Sequence, residues 1–281
     1  MLHLVASTGR TATSLIAASF NRLPGIAACH EGHRGGDDGP DLLPLINLEN
    51  FQVFKDPLAG PNVVGTKRSR ENIEEAEAKA ATEIVIDIAY YNAIVGEPII
   101  AAHAESRMVG IVRDCESFVR SVTWLEGTDP MPVGWPDPAK PLSTRERFIS
   151  MGRLRPTTGP DAEAWDGWGA IERNIWLWKA TNDRLADAKD RWPDRVTIID
   201  FGLIRDGVVQ FLRSVLAGLD LLRQPGVDAS LEAAAAVSSS HTNERSGGYQ
   251  IGGQQSWTPE QRALLHEANT QFEGRMRAWS K

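Results

Sequence analysis

Short apolar runs alternate with stretches of helical periodicity along the whole chain, and polar turns separate them. Leu2-His3-Leu4-Val5-Ala6 predicts a first strand, a hydroxyl-rich loop follows over Ser7 to Ser14, and Leu15-Ile16-Ala17-Ala18 opens a helix. Arg22-Leu23-Pro24-Gly25 is a turn, and Ile26-Ala27-Ala28-Cys29 predicts a second strand running into His30-Glu31-Gly32-His33-Arg34. Residues 35–65 are rich in Gly, Pro, Asp and Asn, a long connection of the kind that forms lids or binding loops. Residues 70–95 predict one alanine-rich amphipathic helix, capped by Ser69 or Asn72 and ending near Gly96. Residues 98–103 and, more clearly, Met108-Val109-Gly110-Ile111-Val112 predict further strands. Residues 116–125 predict a helix with Phe118, Val119, Val122 and Leu125 on one face. Another helix is expected over 169–190, a buried strand over 196–201, and a helix over about 206–217. Thr258 is a good N-cap with Pro259 at the first helical position, so a last helix starts there.

Strands alternating with helices predict an α/β fold, a three-layer sandwich around a central parallel sheet. With 281 residues, one large domain accounts for the chain. Residues 126–168, broken by prolines and glycines, read as a cap or substrate-covering insertion within it. Residues 124–178 hold Trp124, Trp135, Trp165, Trp168, Trp176 and Trp178, whose rings suit either the packing core of a cap or stacking on a sugar or aromatic acceptor.

A formal net charge of −7 argues against general binding to nucleic acid or to an anionic membrane. An anionic ligand would then need a local basic cluster. The two cysteines, Cys29 and Cys115, make neither a disulfide framework nor a metal-ligand spacing. The start shows no signal-peptide pattern and no run of about twenty apolar residues occurs, so a cytoplasmic, soluble protein is expected.

The first loop carries the chemistry. A helix start has backbone N–H groups without partners and a dipole that favours anions. Thr11, Thr13 and Ser14 add hydroxyls and Arg10 a planar cation. This is not a Walker loop, which places Gly-Lys before the Ser/Thr, whereas Ala12-Thr13 precede Ser14 here. Alanine at position 12 is expected to fit only at negative φ. Arg113 stands at the end of a strand with Ser121 eight residues on, so a forked guanidinium and a helix-borne hydroxyl can share one phosphate. A polar loop further on holds Arg245, Ser246 and Gly247 ahead of Trp257-Thr258-Pro259-Glu260-Gln261.

Together these islands resemble the sulfotransferases that use PAPS, closest in layout to tyrosylprotein-type and bacterial members. The family's Gly-Arg-Ser/Thr-Gly-Thr-Thr loop is matched by Gly9 to Ser14, with Ala12 departing from it. Its Arg-x7-Ser clamp is matched by Arg113 and Ser121, and its Arg-Lys-Gly loop by Arg245 and Gly247, with Ser246 for the lysine. The strand at 196–201 and the Leu216-Ala217-Gly218-Leu219 helix end match more loosely. The resemblance implies a P-loop NTPase-like fold and transfer of a sulfuryl group from PAPS to a hydroxyl or amine of a small-molecule or carbohydrate acceptor, leaving PAP. It implies that Gly9, Arg10, Thr11, Ala12, Thr13 and Ser14 hold the 5′-phosphosulfate, with Arg10 neutralising its charge. Arg113, Ser121, Arg245, Ser246 and Gly247 would then hold the 3′-phosphate.

The proton acceptor that the resemblance points to is Glu31, seven residues after Pro24, with His33, His30 and His103 as alternatives. No metal site is expected, and a homodimer is left open. Two other classes share the first loop: a P-loop-type small-molecule kinase, and a non-catalytic nucleotide-binding protein on the same fold.

Overall fold

The computed structural model describes residues 1–35, 39–44, 68–124, 134–141, 153–238 and 257–279. Among the described residues six strands form one sheet: β1 (Leu2–Ser7), β2 (Ile26–His30), β3 (His33–Arg34), β4 (Ile84–Ala89), β5 (Met108–Val112) and β6 (Val196–Asp200). Their spatial order is β3-β2-β4-β1-β5-β6. All neighbours pair in parallel except β3, which runs antiparallel to β2. β1 is central, with Leu4 opposite Asp87 on one side and Met108 on the other. A strand buried on both faces is mostly apolar, which is why β5 reads as an unbroken run and β1 is interrupted only by His3 before its closing Ser7.

The helices are α1 (Thr13–Phe20), α2 (Arg70–Ala80), α3 (Asn92–Ala102), α4 (Cys115–Trp124), α5 (Gly159–Ala164), α6 (Ala170–Arg191), α7 (Val208–Gly218), α8 (Val227–Ser238) and α9 (Pro259–Trp279). Along β1, Leu2, Leu4 and Ala6 face a core built with Ile99 and Ile100 of α3, Phe118 and Val119 of α4, Leu185 of α6 and Phe272 of α9. Val5 faces the opposite way, into a core with Ile16 and Phe20 of α1, Phe211 and Leu212 of α7 and Leu231 of α8. Two apolar faces covered by two helical layers make the three-layer sandwich expected from the alternation. Each parallel strand is followed by a loop at the same edge, so the segments after β1, β2, β4, β5 and β6 gather at the carboxyl edge of the sheet.

The expected helix over residues 70–95 is two elements and part of a third. The helix stops at Ala80, Ala81 turns left-handed at φ 51°, and Ile84–Ala89 becomes the strand beside β1. Asp87 in the middle of that strand disguised it, because a central strand rarely carries a carboxylate. The charge is answered by Arg68, whose Nε and Nη2 donate to Asp87 Oδ2 at 3.0 and 2.7 Å, with both side chains buried. Arg68 Nη2 also donates to Tyr91 Oη at 3.2 Å and its Nη1 to the Pro44 carbonyl at 2.6 Å. Residues 98–103, expected as a strand, lie in α3 and its C-cap, with Pro98 inside the helix. The strand expected as buried over 196–201 is the sheet edge, where Thr197 and Ile198 are half-buried and Asp200 is exposed. No described helix is long and apolar enough to cross a membrane.

Candidate functional site

β1 ends at Ser7, whose Oγ accepts the Gly9 N–H at 2.9 Å and turns the chain. Gly9, Arg10 and Ala12 then take positive φ of 89°, 58° and 58°. Ala12 therefore sits in the left-handed region, contrary to the expectation that alanine requires negative φ here. It is the N-cap of α1 and offers no side-chain bond to the helix start. The first helical hydrogen bond runs from Ile16 N to the Ala12 carbonyl at 3.0 Å. Thr13 and Ser14 at the helix start are only partly buried, so the positively polarised end opens outward. Left-handed non-glycine residues clustered before a helix are strained backbone of the kind held at ligand sites. The hydroxyls of Thr8 and Thr11 are buried and have no hydrogen-bond partner among the described residues. A buried donor without an acceptor marks a place where one is missing.

β5 lies beside β1, with Ser7 opposite Ile111, so Arg113 emerges next to the loop. Its Nη1 donates to the Arg10 carbonyl at 2.8 Å and its Nε to Ser117 Oγ at 2.9 Å. The guanidinium lies 5.6 Å from the Phe201 ring centre, at the end of β6. Arg10 Nε in turn donates to Ser121 Oγ at 3.2 Å. Arg10, Arg113 and Ser121, far apart in sequence, thus meet at one edge. Arg10 has no carboxylate partner among the described residues, so its charge is available to an anion at this edge. Trp178 Nε1 donates to the Arg113 carbonyl at 2.7 Å and fixes the strand end from behind. Sequence reasoning missed Ser117, although its spacing of one helical turn from Arg113 was readable. Phe201 and Trp178 had no local signal. Arg245, Ser246 and Gly247 lie outside the described residues.

The end of β2 reaches the same edge. His30 pairs with His33 across a two-residue turn, Glu31-Gly32, at φ 52° and 93°. Positive φ at both positions is the turn that closes right-twisted hairpins, and glutamate at its first position is costly. His30 is 8% exposed, and its Nε2 lies 3.0 Å from Thr13 Oγ1 at the start of α1. His33 Nδ1 lies 3.0 Å from Asp41 Oδ1. Burial pushes the Tyr90 phenol up to about 12, and the charge of Glu31 adds to that. Burial pushes Arg153 down to about 10, opposed by the charges of Tyr90 and Glu31. Glu31, Tyr90 and Arg153 therefore lie within electrostatic reach of one another. His103 is elsewhere. It does not follow a strand but ends α3, which starts just past the carboxyl end of β4 and leads back to the start of β5. There its Nε2 bonds the Arg68 carbonyl at 2.9 Å, and about 16 Å of helix separates it from the site edge.

Trp135 meets Trp165 edge-on at 5.1 Å, and Trp165 meets Trp176 at 5.6 Å. The Trp135 N–H groups donate to Asn174 Oδ1 at 2.7 Å and to the Leu154 carbonyl at 2.9 Å. The described pieces of residues 126–168 are thus strapped onto α6 through a tryptophan core. No cluster of His, Cys, Asp or Glu able to hold a metal occurs among the described residues.

The sheet order and the loop-to-helix seat define an α/β protein with the sulfotransferase fold. A sulfotransferase from Alicyclobacillus acidocaldarius shares it, with a TM-score of 0.53 and 14% identity over 99% of this chain and 98% of that one. Mouse sulfotransferase SULT7A1, solved with PAP, aligns over 98% of this chain and 84% of that one at 13% identity and a TM-score of 0.43. The sulfotransferase domain from the curacin biosynthetic pathway aligns over 96% and 97% at 12% identity and a TM-score of 0.46. No protein-family model matches the chain, and no curated protein matches it in sequence.

Proposed function

We propose that the protein is a sulfotransferase that moves a sulfuryl group from PAPS to a hydroxyl or amine of a small-molecule or carbohydrate acceptor, leaving PAP. The observation that carries this is the meeting of the open α1 start, Arg10, Arg113 and Ser121 at one sheet edge. The Thr11 hydroxyl, without a partner among the described residues, and two arginines held at one edge fit a ligand anionic at both ends. When bound, PAPS supplies the activated sulfuryl group on its 5′-phosphate.

Gly9 and Ala12 through their backbone, with Thr11, Thr13 and Ser14, hold the 5′-phosphate, and Arg10 offsets the charge that grows on its bridging oxygen. Arg113 and Ser121 hold the 3′-phosphate, together with Arg245, Ser246 and Gly247. Arg10 is already bonded to Ser121, so the grips on the two ends are linked through one hydrogen bond. Glu31, half-buried at the hairpin tip, takes the acceptor proton, and His33 is the runner-up. The cap role read from the sequence of residues 126–168 assigns that segment to the acceptor.

Calorimetry with PAP tests the donor. Wild type binds it, and Arg113→Ala loses binding while keeping its melting transition. Glu31→Gln keeps PAP affinity and loses roughly 10²–10⁴-fold in turnover, followed as PAP release across an acceptor panel. Binding of ATP with Mg²⁺ in place of PAP would make the chain a kinase. Tight PAP with no turnover on any acceptor would make it a binding protein.

A further inference from the structure

Two histidines flank Glu31, and only His30 touches the phosphate loop. It closes β2, is 8% exposed, and its Nε2 stands 3.0 Å from Thr13 Oγ1. Thr13 is the first residue of α1, where no side chain caps the helix and the backbone N–H groups point outward. A threonine hydroxyl has a single proton. If that proton went to the imidazole, the oxygen would turn its lone pairs toward an anion in the seat. If the imidazole gives its own N–H to the oxygen, the hydroxyl proton is left to point at the anion.

We propose that His30 is a positioning residue for the donor's 5′-phosphate, its Nε2–H donating to Thr13 Oγ1 so that the Thr13 hydroxyl donates to a phosphate oxygen. The assignment rests on the PAPS reading above. Two further features support it. A ring with Nε2–H already suffices as donor to the Thr13 oxygen. Nε2, engaged with Thr13, is itself unavailable to an acceptor proton, in keeping with Glu31 on the adjacent turn as the base. The relay explains why a histidine is buried against a threonine at a helix start that lacks a capping side chain.

Long-range ¹H–¹⁵N spectra of the free protein report the tautomer, with His30→Gln assigning the resonance among the six histidines. The expected state is Nε2–H, and Nδ1–H would overturn the proposal. Calorimetry with PAP and steady-state kinetics with PAPS then compare four variants. His30→Leu weakens PAP about tenfold and raises the KM for PAPS equally, with kcat changed by less than about twofold. His30→Gln, which keeps an N–H donor, recovers most of the affinity. In a Thr13→Val background, His30→Leu adds no further loss, because the relay is already broken. Collapse of kcat in His30→Leu with PAP affinity intact would make His30 a base instead, and additive losses would sever it from Thr13. Wild type that binds PAP no better than His30→Leu overturns this assignment alone. Wild type that does not bind PAP overturns the donor as well.

Discussion

Arg10, Ala12 and Glu31 all sit at φ between 52° and 58°, and all lie at the carboxyl edge of the sheet. Left-handed backbone costs an L-residue roughly 1–2 kcal/mol. Glycine avoids that cost and loses roughly 0.5–1 kcal/mol through its freer unfolded chain. Ala12→Gly is therefore expected to stabilise the fold by about 0.5–1 kcal/mol in urea unfolding, with PAP binding retained. Asparagine tolerates the first position of this hairpin turn better than glutamate does. Glu31→Asn should thus raise the melting temperature while removing turnover, whereas a fall in stability would mean that Glu31 holds the hairpin rather than serving an acceptor. The residue types at Arg10, Thr13, Arg113 and Ser121 were readable from spacing. The backbone sign at Ala12 was not, since φ depends on how the loop must turn between β1 and α1.

Among the elements, those with a strong local signal matched the sequence pattern. The last helix starts as expected, with Gln261 N bonded to Thr258 Oγ1 at 3.2 Å and Thr258 N to Gln261 Oε1 at 2.9 Å, a reciprocal cap. β4 did not, because Asp87 becomes apolar in effect only through Arg68, nineteen positions away. The pair also pins the segment ending at Pro44 against the sheet. Burial of both charges costs several kcal/mol, and removing one partner leaves the other uncompensated. Arg68→Met is expected to destabilise by about 3–5 kcal/mol in chemical denaturation. Arg68→Met with Asp87→Leu should recover most of that loss. A double variant as unstable as the single would show that Arg68 acts through Tyr91 and Pro44 instead.

At the scale of the whole molecule, the parallel sheet separates two edges. The carboxyl edge gathers the site, while the amino edge carries His3. His3 is 2% exposed, and its Nδ1 accepts the Arg107 N–H at 3.1 Å. Burial, then the N-terminal ammonium and Arg107, push it from the usual 6.5 down to about 4. Between those values the unfolded chain binds a proton that the native state refuses. Stability is therefore full above pH 6.5 and falls as the pH drops toward 4, by about 3 kcal/mol from this group. His3→Gln, which keeps an acceptor for Arg107 and cannot titrate, should flatten that limb of the urea-unfolding profile. An unchanged acid limb would place its origin in other groups.

The sequence pattern by itself determined the strand, loop and helix over residues 2–20, the strand at 108–112 with a helix after it, and the start of the last helix. These depend on periodicity and spacing within a few turns of chain. Only the folded sheet decided that residues 84–89 are a central strand and that His103 lies at the far edge. It also set His30 against Thr13. Each of these depends on a partner distant in sequence, and the free energy of burying a polar group is set by that partner rather than by its neighbours along the chain.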